Sequence, residues 1–124
     1  MTMPARPLLP MILSAALASG VMVASAPASA ADGYAGKWAA DLSNCGKPQS
    51  SPDAPLVLTA KGYDQHEAHC TFEGLKSTGA GEWGAKAACK VEGDSQSIDV
   101  TLTVSGDTLT LTEDGSARDL LRCP

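Results

Sequence analysis

Four cysteines, Cys45, Cys70, Cys89 and Cys123, all lie beyond residue 44 of a chain of 124 residues. An even number of cysteines in so short a chain reads as a disulfide framework when the chain is exported. The N-terminus carries the export signal. A single positive charge, Arg6, precedes an apolar run from Leu8 to Val23, and Ala28-Ser29-Ala30 has the small-x-small arrangement of a cleavage site. No acidic residue comes before Asp32. The segment 1–30 is therefore expected to be a secretory signal peptide cut near Ala30. A membrane anchor would need roughly 20 continuous apolar residues, whereas Ser14, Ser19 and Gly20 interrupt this run. The cleavage junction has no cysteine to take a lipid, so no membrane anchor is expected. The expectation is a periplasmic or secreted protein with one disulfide-stapled domain, residues 31–124. Cross-links offset the modest core that such a small domain can bury.

Charge narrows the choice of partner. The chain has 14 acidic and 9 basic residues, and Arg6 is lost with the leader. A net acidic surface does not attract nucleic acid or anionic membrane, so no nucleic-acid partner is expected.

Hydrophobic periodicity gives the fold class. Trp83, Ala85, Ala87, Cys89 and Val91 alternate with Gly84, Lys86, Ala88 and Lys90. Ile98, Val100, Leu102 and Val104 alternate with Asp99, Thr101 and Thr103. Period two is that of a half-buried strand. Leu109 and Leu111 continue it after an "SGD" turn, and "EDGS" turns the chain again; Leu120 and Leu121 are adjacent and leave the last strand's inner face open. "GKPQSSPDAP", residues 46–55, is a proline-rich loop. The prediction is all-β: a small antiparallel meander of about seven or eight short strands, closed into a barrel or flattened into a sandwich. Closure would remove the exposed edges of an open meander.

Register selects among the three possible cysteine pairings. A hairpin centred on Gly79-Ala80 puts Cys70 opposite Cys89, Phe72 opposite Ala87, and Ala68 opposite Val91. Apolar residues then meet across both strands, as a correct register requires. Cys70–Cys89 is the preferred disulfide, and Cys45–Cys123 follows by elimination.

"YDQHEAHC", residues 63–70, has the composition of a metal site. On a helix, His66, His69 and Cys70 would share one face and could ligate zinc. On a strand running into the hairpin above, His66 joins Asp64 on the Cys70 face, while His69, Glu67 and Gln65 point the other way. Two ligands on opposite faces cannot hold one ion, so no cofactor or metal is expected. His66 and Asp64 become candidates for contacting a ligand or partner at a barrel mouth. Nucleophilic catalysis has little to build on. The chain lacks G-x-S-x-G and S-x-x-K, and "STGAGEWG" lacks the G-K-[ST] ending of a phosphate loop. The alternative reading, a metal-binding or hydrolytic protein, would rest on His66, Asp64 and Glu67. A third is a structural or stress-related envelope protein without a discrete site.

"GKW", Gly36 to Trp38, resembles the opening of lipocalin-like barrels and of the small secreted inhibitors of bacterial metalloproteases. There the tryptophan plugs one barrel end, which makes Trp38 a further candidate contact residue. A longer resemblance spans nearly all of residues 34–124. It is carried by Trp38, Cys45, Leu58-Thr59, Tyr63, Glu67, Cys70, Phe72, Trp83, Cys89, Glu92-Gly93, Gly106-Asp107, Leu109, Leu111 and Arg122-Cys123-Pro124. In this order the chain resembles a group of small exported four-cysteine proteins of proteobacteria. The resemblance implies a shared disulfide-stapled β fold and periplasmic export, and brings no catalytic residues with it. The function expected from these readings is non-enzymatic: an exported binding or inhibitor-like barrel. Its partner would be an envelope protein or a small ligand, with the protein favoured because barrels of short strands are filled by their own side chains.

Overall fold

In a computed structural model of the chain, residues 33–124 are described, together with 2–4 and 20. The signal-peptide segment falls almost wholly outside the described residues. The strands are β1 (Gly36–Ala39), β2 (Leu56–Thr59), β3 (Gly62–Gln65), β4 (Ala68–Gly79), β5 (Glu82–Val91), β6 (Asp94–Ser105), β7 (Thr108–Glu113) and β8 (Ser116–Arg122). A single 3-10 turn, Leu42–Asn44, follows β1. Each strand pairs antiparallel with the next, and β1 pairs with β8, so the eight strands form a closed barrel.

The long strands carry the alternation read from the sequence. Ile98, Val100 and Leu102 of β6 face inward, as do Leu109 and Leu111 of β7. The adjacent leucines of β8 separate: Leu120 is buried and Leu121 is 40% exposed. Leu56 and Leu58 complete the interior from β2. Each such leucine contributes about 1.5–3 kcal/mol on burial. No charged or polar residue is buried with them among the described residues.

The register of β4 against β5 is as the alternation requires at its cysteine end. Cys70 faces Cys89, Phe72 faces Ala87, and Ala68 faces Val91. The tip differs by one residue. Register shifts between Glu73 and Lys76 and between Ser77 and Gly79 carry the turn to Ala80-Gly81. Gly74 takes up the first with a φ of 63°, a conformation that costs glycine nothing.

Both disulfides form as the register and elimination arguments require, Cys70–Cys89 and Cys45–Cys123. No cysteine is left free among the described residues. Such a chain belongs in an oxidising, extracytoplasmic environment.

The β1–β8 seam is short, with only Trp38–Arg122 and Ala39–Leu121 in register. Side chains reinforce it. Trp38 is fully buried and its indole Nε1 donates to the Tyr34 carbonyl at 2.8 Å. The Arg122 guanidinium lies 4.3 Å above the indole ring, and its Nη2 donates to the Gly33 carbonyl at 3.1 Å. Cys45–Cys123 then ties the segment after β1 to the residue after β8.

The two cross-links close loops of different length, 78 and 19 residues of separation. On chain entropy, replacing Cys45 and Cys123 by alanine should cost about 4.5 kcal/mol, and replacing Cys70 and Cys89 about 3 kcal/mol. Urea denaturation of the two double variants checks the order. A second test concerns Gly62, where an added Cβ would run into the Cys70 carbonyl at a φ of 154°. Gly62→Ala should destabilise by about 1–3 kcal/mol, read in the same denaturation experiment.

Candidate functional site

"YDQHEAHC" is neither a helix nor one strand. It is a complete hairpin: Tyr63 to Gln65 belong to β3, His66 and Glu67 make the turn, and Ala68 opens β4. His66 adopts a φ of 52°, which a residue with a Cβ takes only when its surroundings hold it there. The surroundings are the proline-rich loop. The Gln49 side chain accepts the His66 backbone N–H at 2.7 Å, and the Gln49 carbonyl lies 3.0 Å from His66 Nδ1. Gln65 Nε2 adds a bond to the Ala54 carbonyl at 3.1 Å.

The turn reverses the face of every residue before it, and this corrects the pairing of His66 with Asp64. Asp64 stands opposite His69 in the β3–β4 ladder, and His69 Nδ1 lies 2.7 Å from Asp64 Oδ1 on the outer surface. His66 sits apart, half-buried against Gln49, with Glu67 Oε1 3.9 Å from its Nε2. Both members of the Asp64–His69 pair are more than half exposed, so the pair contributes little to stability. Among the described residues, no group of three or more His, Cys, Asp or Glu side chains gathers in a metal-holding arrangement. Trp38, the third candidate contact residue, lies wholly inside, with none of its surface exposed.

The reversal turns Tyr63 inward, which strand parity through residue 70 did not anticipate. Tyr63 is buried, packs against Phe72 with ring centroids 5.7 Å apart, and donates its hydroxyl to Glu113 Oε2 at 2.9 Å. Glu113 Oε1 in turn lies 3.4 Å from Arg118 Nη2. Burial, and then the negative charge of Glu113, pushes the Tyr63 phenol well above its usual range. This trio links β3 to the β7–β8 hairpin. No short motif marks it, since Tyr63 lies 50 residues before Glu113.

Outside the barrel, His69, Thr71, Ala88, Lys90, Ser95 and Ser97 line a groove of about 620 Å³ across β4, β5 and β6. A second depression, about 290 Å³, lies at the rim between Pro52, His66, Val91, Glu92 and Arg118. Beyond the groove, Lys86 Nζ is 2.9 Å from Asp99 Oδ1, and this carboxylate holds the ammonium pKa above its usual value. The groove thus pairs small uncharged side chains with cations and carboxylates at its margins.

Comparison with protein-family models, with curated proteins and with solved structures finds no match to the chain.

The Tyr63 phenol provides a pH test. Its folded pKa lies above its unfolded value, so its contribution is complete below about pH 10 and lost as pH rises beyond that. Absorbance at 295 nm should show Tyr63 ionising only together with alkaline unfolding. Tyr63→Phe should abolish that component and cost about 1 kcal/mol for the lost bond to Glu113.

Proposed function

We propose that the protein is an exported, non-enzymatic binding domain, inhibitor-like in form, which recognises a protein partner on the outside of its barrel. Export would follow cleavage of the leader near Ala30, with the periplasm or the medium as destination. The observation that supports a protein partner is the filled interior. Trp38, Leu56, Leu58, Leu102, Leu109 and Leu111 are each exposed by less than 2%, and Tyr63 reaches from β3 to Glu113 on β7. A ligand-carrying barrel keeps space for its ligand, whereas here side chains take that space. The groove over β4–β6 offers a broad surface instead. A rigid, cross-linked scaffold presents such a surface at little entropic cost on binding.

The metal-binding or hydrolytic reading is not favoured, because His66 and Asp64 are not neighbours and Asp64 bonds His69 instead. The test is affinity capture from envelope extract of the cells that export the protein, with three baits. Wild type should retain a partner. Lys90→Glu with Thr71→Arg, which alters the groove without touching the core, should lose at least about tenfold in affinity for it. Leu121→Ser, on β8 outside the groove, should retain it. Equal capture by all three baits, or a small molecule co-purifying one-to-one with the protein, would contradict the reading.

A further inference from the structure

The strands of this barrel differ in length, and besides Ser116–Leu120 of β8, which carries Arg118, closure leaves two stretches of edge without a strand partner among the described residues. β3 covers β4 only as far as Thr71, with one more bond from Phe72 N–H to the Lys61 carbonyl. β7 covers β6 only from Val100 onward. The first bare stretch, Glu73–Gly79, is guarded: two register shifts, a left-handed Gly74 and Lys76 interrupt it. These are the devices by which sheets prevent pairing at an edge. The second, Asp94–Ile98, has none of them. Its pairing with β5 is regular over ten residues, from Glu82–Thr103 to Val91–Asp94, and it contains no proline, lysine or arginine.

Parity decides which backbone groups face outward along this stretch. Asp99 points toward β7, for its N–H donates to Asp114 Oδ1 at 2.7 Å and its carbonyl accepts from Asp114 N–H at 2.9 Å. Ser97 and Ser95 lie two and four residues earlier and therefore point the same way. The two-residue turn at Glu92-Gly93 agrees, since it makes Val91 and Asp94 a bonded pair and places Asp94, Gln96 and Ile98 toward β5. Ser95 and Ser97 each present an N–H and a C=O with no strand partner on that side among the described residues, at an exposed, regular edge.

Charge specifies the occupant. Around this edge, Lys86 is held by Asp99 and Arg118 by Glu113, while Lys90 stands opposite Ser95 on β5. Glu92 and Asp94 form no ion pair among the described residues, and Asp114 acts on Lys86 without bonding it. A second copy of this acidic chain would bring the same carboxylates together.

We infer that the Asp94–Ile98 edge of β6 receives an extended segment of a partner protein, carrying basic residues at alternate positions, as an added antiparallel strand. The inference rests on the binding function proposed above and places the partner's main chain beside the groove, whose wall Ser95 and Ser97 share. Main-chain bonds to Ser95 and Ser97 supply attachment, and the carboxylates select the basic side chains.

Amide exchange by NMR on the exported, oxidised protein tests this with a blocked octapeptide of alternating threonine and lysine. At ten times its Kd, exchange at Ser95 and Ser97 should slow roughly tenfold, with shifts confined to residues 94–99. The same peptide with glutamate for lysine should give no protection. Ser97→Pro should abolish binding while leaving the β5–β6 ladder intact, because the N–H it removes faces outward. Leu121→Ser should bind like wild type.

Three results would overturn the inference. One is an absence of protection at Ser95 and Ser97 with the basic peptide. Another is protection already present in the free monomer, which would show that this chain covers its own edge. The third is protection that grows with protein concentration, which would assign the edge to a second copy. Groove-dependent capture that survives Ser97→Pro would leave the binding function standing and remove only the strand-addition mode. Peptide docking without any captured partner would do the reverse.

Discussion

Closure at β1 is the constraint on which the other features depend. An eight-stranded meander with a four-residue first strand has little ladder with which to close, and two registered pairs would not hold it. The seam is held by what surrounds it. Trp38 fills the interior beneath it, Arg122 lies over the indole and ties to Gly33, and the Cys45–Cys123 bond joins the two flanking segments. Closure in turn encloses the leucines of β2, β6, β7 and β8, and the proposed recognition on the outside of the barrel rests on the tightness of this enclosure.

The same economy of strand length shapes the surface. Short β1, β2 and β3 close the barrel while β4 runs on past β3 and β6 past β7. The overhang creates both the groove and the bare edge. One overhanging edge is bulged and carries a lysine; the other is straight and acidic. That difference is a property of sequence, since bulges at Gly74 and near Thr78 could equally have been placed in β6.

Much of this was legible beforehand. Alternation in β5, β6 and β7 and the cysteine register are local patterns, and turns such as Glu92-Gly93 and Asp114-Gly115 carry the glycine that a left-handed position calls for. The His66-Glu67 turn carries no such residue. Its conformation is imposed by Gln49, 17 residues earlier, through hydrogen bonds that no local pattern encodes. Without that turn, strand parity puts Asp64 on the inner face and Tyr63 on the outer one, away from Glu113 and Arg118. The one-residue displacement of the β4–β5 tip has a similar origin, because a bulge changes the count of residues without changing the alternation at the far end. The candidate site thus holds the expected residues in different company: His69, not His66, is the partner of Asp64.

Side chains fill the barrel, and the proposed binding from outside depends on that filling. Fluorescence titration of the oxidised protein with a fatty-acid analogue that brightens in apolar surroundings addresses it directly. The account predicts no saturable uptake and unchanged emission from Trp38 and Trp83. Stoichiometric uptake that quenches those tryptophans would contradict it, because the ligand would then occupy space that the core leucines are held to fill.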